Sequence, residues 1–150
     1  MPIPVNPSVN DELDLELIEI SLSCLYIDLF SNILFIISTQ KSKELIIQRI
    51  MQSQQNQQQT ESQQEVQHPT PTEIDAIASC LGIYTILIYT RISIIRLNEL
   101  YKNIQEGTTD FTLGPNINIT VGFLYSIIGN LLRTIGVIQR VKEEAEITIL

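Results

Sequence analysis

The sequence predicts an all-α protein: two long antiparallel helices and a shorter third one, joined by a Gln-rich linker and packed as a bundle or coiled-coil-like assembly. Three observations support this. No Gly or Pro occurs from Val9 to His68. Apolar residues recur at spacings of three and four over three separate stretches. The second stretch has clear start and stop signals. Isoleucine accounts for 27 of the 150 residues and alanine for only 3. Because β-branched side chains are mediocre helix formers, helices here must draw their stability from packed apolar faces rather than from propensity.

Residues 1–9, with Pro2, Pro4 and Pro7, read as an extended arm. Ser8 or Asn10 can cap a first helix over 11–52. Its opening turns carry Asp11, Glu12, Asp14 and Glu16, the sign a helix N-terminus prefers. Leu15, Ile18, Leu22, Leu25, Leu29 and Ile36 form its apolar stripe, interrupted by Asn32. The polar run Ser38 to Glu44 is a place for a bend. Ile46 and Ile50 return to the same phase beyond it, so one continuous helix is expected. Residues 53–69 are a flexible, low-complexity linker; the window 52–67 holds nine Gln.

Thr70-Pro71-Thr72-Glu73 combines a capping hydroxyl, Pro at the first helical position and Glu three residues after the cap. A second helix is therefore expected over 71–106, ended by Gly107. Its stripe is Ile74, Ile77, Leu81, Tyr84, Ile88 and Ile95, and Gly82 within it suggests a close contact. Residues 108–117 read as a connector, and their alternation around Gly114-Pro115 is compatible with a marginal β-hairpin. The third helix is expected over 118–142, with Val121, Leu124, Ile128, Leu131, Ile135 and Ile138 as its core stripe and 143–150 as a tail. Gly122, Gly129 and Gly136 repeat every seven residues, with Ser126 among them. Each glycine costs about 1 kcal/mol in a helix interior. Together they are a candidate helix-packing interface, because small residues let a second backbone approach.

The whole chain reads as one domain. In the expected hairpin, Arg96 lies opposite Asp28, Lys102 opposite Glu19, and Cys24 and Cys80 are too far apart to bond. Both cysteines, set in apolar stretches, read as buried small hydrophobes.

The net charge is −8 and the nine Lys and Arg never cluster, so nucleic acid is not an expected partner. Residues 1–40 hold six acids and no base, which makes the first helix strongly acidic. No cofactor, metal or small-molecule substrate is indicated. His68, alone of its kind, stands in the linker, where it cannot be held for catalysis. Glu12, Glu16 and Glu19 share a face but lack the Glu-x-x-His partners of a carboxylate di-metal bundle. Asn118-Ile119-Thr120 matches a glycosylation acceptor, yet the acidic N-terminal region lacks the pattern of an export signal.

These features point to a non-enzymatic, cytoplasmic structural or interaction protein. Its helices, of unequal length, leave apolar surface that self-association would cover, giving a homo-oligomer through helix faces. The alternative is an integral membrane protein with three short spans: residues 111–132 lack charge, 76–95 hold only Arg91 and 20–40 only Asp28. Arg91, Arg96 and Lys102 at the exit of the second span count against it. A third reading is a small-ligand carrier or enzyme with a cavity between helices.

Overall fold

The computed structural model describes residues 9–55 and 69–149, which form α1 (Val9–Gln55), α2 (Pro71–Gln105) and α3 (Gly114–Ile149). No strand occurs among the described residues, so the alternation around Gly114-Pro115 builds no hairpin. Most of the arm, the core of the Gln-rich linker with His68, and Leu150 lie outside the described residues.

α1 runs without a break through Ser38–Glu44 and ends three residues later than expected. The polar run does not interrupt it because two of its members tie α1 to the start of α2. Ser38 Oγ donates to the Pro71 carbonyl at 2.9 Å, and Lys41 Nζ donates to the Pro69 carbonyl at 2.9 Å.

α2 begins as its sequence predicts. Thr70 Oγ1 accepts from the Glu73 amide, the Thr70 amide donates to Glu73 Oε2 at 2.7 Å, and Pro71 fills the first helical position. The helix closes at Gln105, and Gly107 takes φ 67°, the left-handed conformation that glycine adopts without steric penalty.

α3 starts at Gly114 rather than 118 and continues to Ile149 rather than 142. The early start follows from Pro115. A missing N–H costs nothing in a first turn, where amides lack intrahelical partners. The late end has a tertiary cause: Glu144 accepts from the Thr72 hydroxyl and, at 3.4 Å, from Thr70 Oγ1. A carboxylate that sits poorly at its own helix C-terminus is thereby held at the positive N-terminus of α2.

α2 lies between its two neighbours. Both α1 and α3 pack along it, whereas no Cα of α1 comes within 8 Å of one in α3 among the described residues. α1 and α3 meet only through side chains, as where the Arg133 guanidinium sits 4.2 Å from the centroid of the Phe35 ring. The hydrogen bonds run in opposite chain order on the two sides of each seam: Ser38 to Pro71, Ser31 to Ala78, and Thr85 and Tyr89 to Asp28 between α1 and α2. Ser93 bonds Thr120 between α2 and α3, and Thr72 bonds Glu144 near the other end.

This register corrects two expected ion pairs. Asp28 is bonded to Thr85 and Tyr89 rather than facing Arg96, and Lys102 lies 3.8 Å from Glu106, not beside Glu19. The reason is that α1 overshoots: Lys41 already marks the start of α2, so about 14 further residues, roughly 20 Å of helix, extend past it. Cys24 is buried, Cys80 is exposed against expectation, and both are free.

The larger correction concerns the core. The stripes expected to be buried on α1 and α3 are exposed: Leu15 is 59% accessible, Leu29 58%, Ile128 56% and Ile135 52%. The faces that do pack are a different phase of the same helices. On α1 they include Leu17, Cys24, Ser31 and Ser38, each seven residues from the next. Opposite them on α2, Ala78 is fully buried, and its carbonyl accepts from Ser31 Oγ at 2.9 Å. Replacing Ala78 by Leu is expected to cost about 1–3 kcal/mol through overpacking, read as a lowered unfolding midpoint of the full chain. A neutral result would show that α1 and α2 do not approach closely there.

Candidate functional site

Among the described residues, eight of thirteen buried side chains are Ser or Thr: Ser31, Ser38, Ser79, Thr85, Thr90, Ser93, Thr120 and Thr134. They fall on two seams because their spacing follows the helix turn. Ser31 and Ser38 face α2 from α1. Ser93 and Thr120 bond across α2 and α3, Thr120 also donating to its own Asn116 carbonyl at 2.9 Å. Thr90 returns its hydroxyl to the Ile86 carbonyl at 2.7 Å.

The charged member of this arrangement is Asp28, half-buried near the middle of the 20–40 stretch. Thr85 and Tyr89, one turn apart on α2, both present hydroxyls to it; Thr85 donates to Oδ1 and Tyr89 donates to Oδ2 at 3.1 Å. Tyr89 is held in turn by Phe123 of α3, the rings stacked with centroids 6.0 Å apart and planes 21° from parallel. Cys24, one turn before Asp28, is buried beside it. Tyr89 also lines a groove of about 510 Å³ between the three helices. Leu22, Leu25, Ile119 and Phe123 give the groove apolar walls, and Ser93 and Arg96 add polar groups.

Two hydroxyls break the rule that buried polar groups are paired. Among the described residues, Ser79 Oγ and Thr134 Oγ1 are buried with no hydrogen-bond partner. By the register of the α2–α3 seam they stand at about the same level. Gly82, one turn further along α2, has Asn130 Oδ1 of α3 at 3.8 Å from where a Cβ would sit, an ordinary van der Waals distance.

The sequence-predicted interface residues lie elsewhere. Gly122, Gly129 and Gly136 are exposed, and among the described residues no atom beyond the adjoining backbone of α3 lies within 4 Å of a Cβ built on any of them. Ser126 is half-buried and donates to the Gly122 carbonyl of its own helix at 2.9 Å. No group of three or more His, Cys, Asp or Glu side chains that could hold a metal occurs among the described residues.

Sequence reasoning named Asp28 only as a partner for Arg96 and as the one charge of residues 20–40, and it passed over Thr85 and Tyr89. The available signal was the heptad of small and polar residues through Cys24, Ser31 and Ser38, with Asp28 on the same face. Comparison with known protein families, curated proteins and solved structures finds no match to this chain.

Two outcomes follow. Asp28→Ala leaves the Thr85 and Tyr89 hydroxyls without their acceptor and is expected to destabilise the chain by about 1–2 kcal/mol, against a near-neutral Asp28→Asn, measured by unfolding. Gly129→Ala should stabilise by up to about 1 kcal/mol through helix propensity. A fall in stability instead would reveal a second molecule's backbone on that face.

Proposed function

We propose that the chain is a small integral membrane protein: an antiparallel module of three spans, without catalytic machinery, whose outward apolar faces are covered by lipid. This replaces the cytoplasmic, self-covering bundle as the favoured reading. One observation carries it. The polarity of the fold is inverted: among the described residues Ser and Thr dominate the buried positions and thirty-one large apolar side chains are exposed.

The magnitude favours lipid. If each exposed side chain forgoes about 1 kcal/mol of possible burial, the total is on the order of 30 kcal/mol, beyond the roughly 5–15 kcal/mol by which domains are stable. A bilayer removes that cost without a partner. It also accounts for the seams, because in lipid helices associate through small side chains and interhelical hydroxyl bonds rather than through apolar stripes.

Lengths agree. All three helices contain stretches long and apolar enough to cross a membrane. About 20 residues cover the ~30 Å hydrocarbon core, and the Ser31–Ala78 and Ser93–Thr120 bonds bring the stretches 20–40, 76–95 and 111–132 into overlap, the third offset by several residues toward the Asp11 end. The most apolar window of α2 is 33% buried, against 11% for α1 and 6% for α3, as expected of a middle helix with lipid-facing neighbours. Arg91, exposed near the end of its span, can snorkel to the interface.

Charge then sets the orientation. Lys41, Lys43, Arg49, Arg133, Arg140 and Lys142 belong to the Lys41 end of the module, while Arg91, Arg96 and Lys102 belong to the Asp11 end. Six bases against three favour the Lys41 end as the cytoplasmic one. The bases after the second span, which weighed against this reading in isolation, are outnumbered once the ends are grouped.

Cys80 gives a direct test, since it is exposed on the protein yet lies within the second span. In intact vesicles a membrane-impermeant maleimide should leave Cys24 and Cys80 unmodified, and both should react after solubilisation in SDS. Rapid labelling of Cys80 in intact vesicles, or release of the chain by alkaline carbonate, would overturn the reading.

A further inference from the structure

We propose that Asp28, with Thr85 and Tyr89, is a proton-binding site inside the membrane, exchanging its proton with water at the Asp11 end through the groove that Tyr89 lines. The inference rests on the membrane reading above. A carboxylate costs too much in a hydrocarbon core to be kept for packing alone, and such groups mark ion or proton sites.

The geometry supplies each part of the site. Asp28 is half-buried, on the face of α1 that meets α2, with a hydroxyl donor for each carboxylate oxygen. Tyr89 touches both compartments: its hydroxyl donates to Asp28 Oδ2 at 3.1 Å, and the residue forms part of the wall of the groove. Ser21, Ser93, Asn116 and Arg96 give that groove polar groups able to hold water, and it runs between the helices toward Arg96. Phe123 stacks on Tyr89 and fixes the ring between groove and carboxylate. The titratable groups facing Asp28 are Tyr89 on α2 and Cys24 on its own helix. α3 contributes Asn116, Ile119 and Phe123 to the groove, none of them charged, and Arg96 is its one ionised side chain.

The transfer balances simply. A proton from the groove's water passes to the Tyr89 oxygen as the Tyr89 hydroxyl proton moves to Asp28 Oδ2. Asp28 gains one proton and loses its charge, water loses one, and Tyr89 is neutral before and after. The reverse sequence returns the proton to the groove. A neutral Asp28 still engages Thr85, whose hydroxyl can donate to the remaining carbonyl-type oxygen.

The test uses the full chain reconstituted in phosphatidylcholine vesicles and the apolar reagent dicyclohexylcarbodiimide, which modifies protonated carboxyls within membranes. Peptide mass spectrometry locates the adduct. Asp28 should be the modified residue, and its labelling should be weaker in alkaline than in acidic buffer, because only the acid form reacts. Tyr89→Phe and Thr85→Val each remove a donor that favours the carboxylate and keep the side-chain shape, so both should label faster than the native chain at neutral pH. No adduct at Asp28, or labelling indifferent to pH, would overturn the site. Unchanged labelling in both variants would overturn the role of the hydroxyls. Protection by sodium chloride but not by choline chloride would overturn the proton as its occupant in favour of a metal cation. Failure of the membrane reading is distinguishable, because the chain would then leave the vesicles in alkaline carbonate before any carboxyl is scored.

Discussion

α2 must carry a helix on each side, and it does so by keeping its two packing faces small. Ala78 and Gly82 remove side-chain bulk where α2 meets its neighbours, and Ser79, Thr85 and Ser93 add little more than a hydroxyl. A hydroxyl between two helices is an obligation as well as a spacer, since an unpaired buried one costs about 1–3 kcal/mol. Most of the seam meets that obligation by bonding across the interface or to a carbonyl one turn away. Most Ile and Leu side chains lie outside the seams, with Leu17, Ile74 and Ile92 the buried exceptions among the described residues. The inverted polarity of the protein accompanies this packing of α2 on both sides.

The polar contacts also set the register. Thr85 and Tyr89 are four residues apart, so both reach Asp28 only when α1 is positioned to within a fraction of a turn. Sliding α1 by one turn would leave a carboxylate against apolar side chains, a cost that no gain in apolar contact would offset. Ser31 and Ser38 repeat the constraint at one- and two-turn intervals toward the Lys41 end, each bonding a backbone carbonyl of α2. Glu144 does the same for α3 by reaching the capped start of α2. Apolar contacts alone are tolerant of sliding; these few directional bonds are not.

This arrangement gives each part of the chain a distinct relation to its surroundings. The charged ends of the helices extend beyond the apolar stretches, and Asp28 and Tyr89 sit between them. Ser79 and Thr134 mark a second polar point on the α2–α3 seam, unpaired in a structure that otherwise pairs its buried hydroxyls. On the proposed reading, the groove at the Asp11 end links the carboxylate to water while the opposite half of the module stays closed by Ser31, Ala78 and Ser38.

The local signals of the sequence sufficed for the elements themselves. The Thr70–Glu73 cap, Gly107 and the Gly- and Pro-free run from Val9 determined where α1 and α2 lie, because caps and breakers act through bonds only a few residues apart. They did not determine the length of α3, whose acidic end is held by α2, nor the overshoot of α1, which depends on where the seam stops. The stripes Leu15–Ile36 and Val121–Ile138 were legible as faces, but periodicity reports only which residues share a side of a helix. It carries no information on whether that side meets another helix or an apolar surrounding, since both reward the same side chains. Only the tertiary structure decided that the Cys24–Ser31–Ser38 phase would pack and the Leu15–Ile36 phase would not. The physical reason is that close helix contact selects for small volume and satisfied hydroxyls, properties of a pair of surfaces that neither helix displays alone.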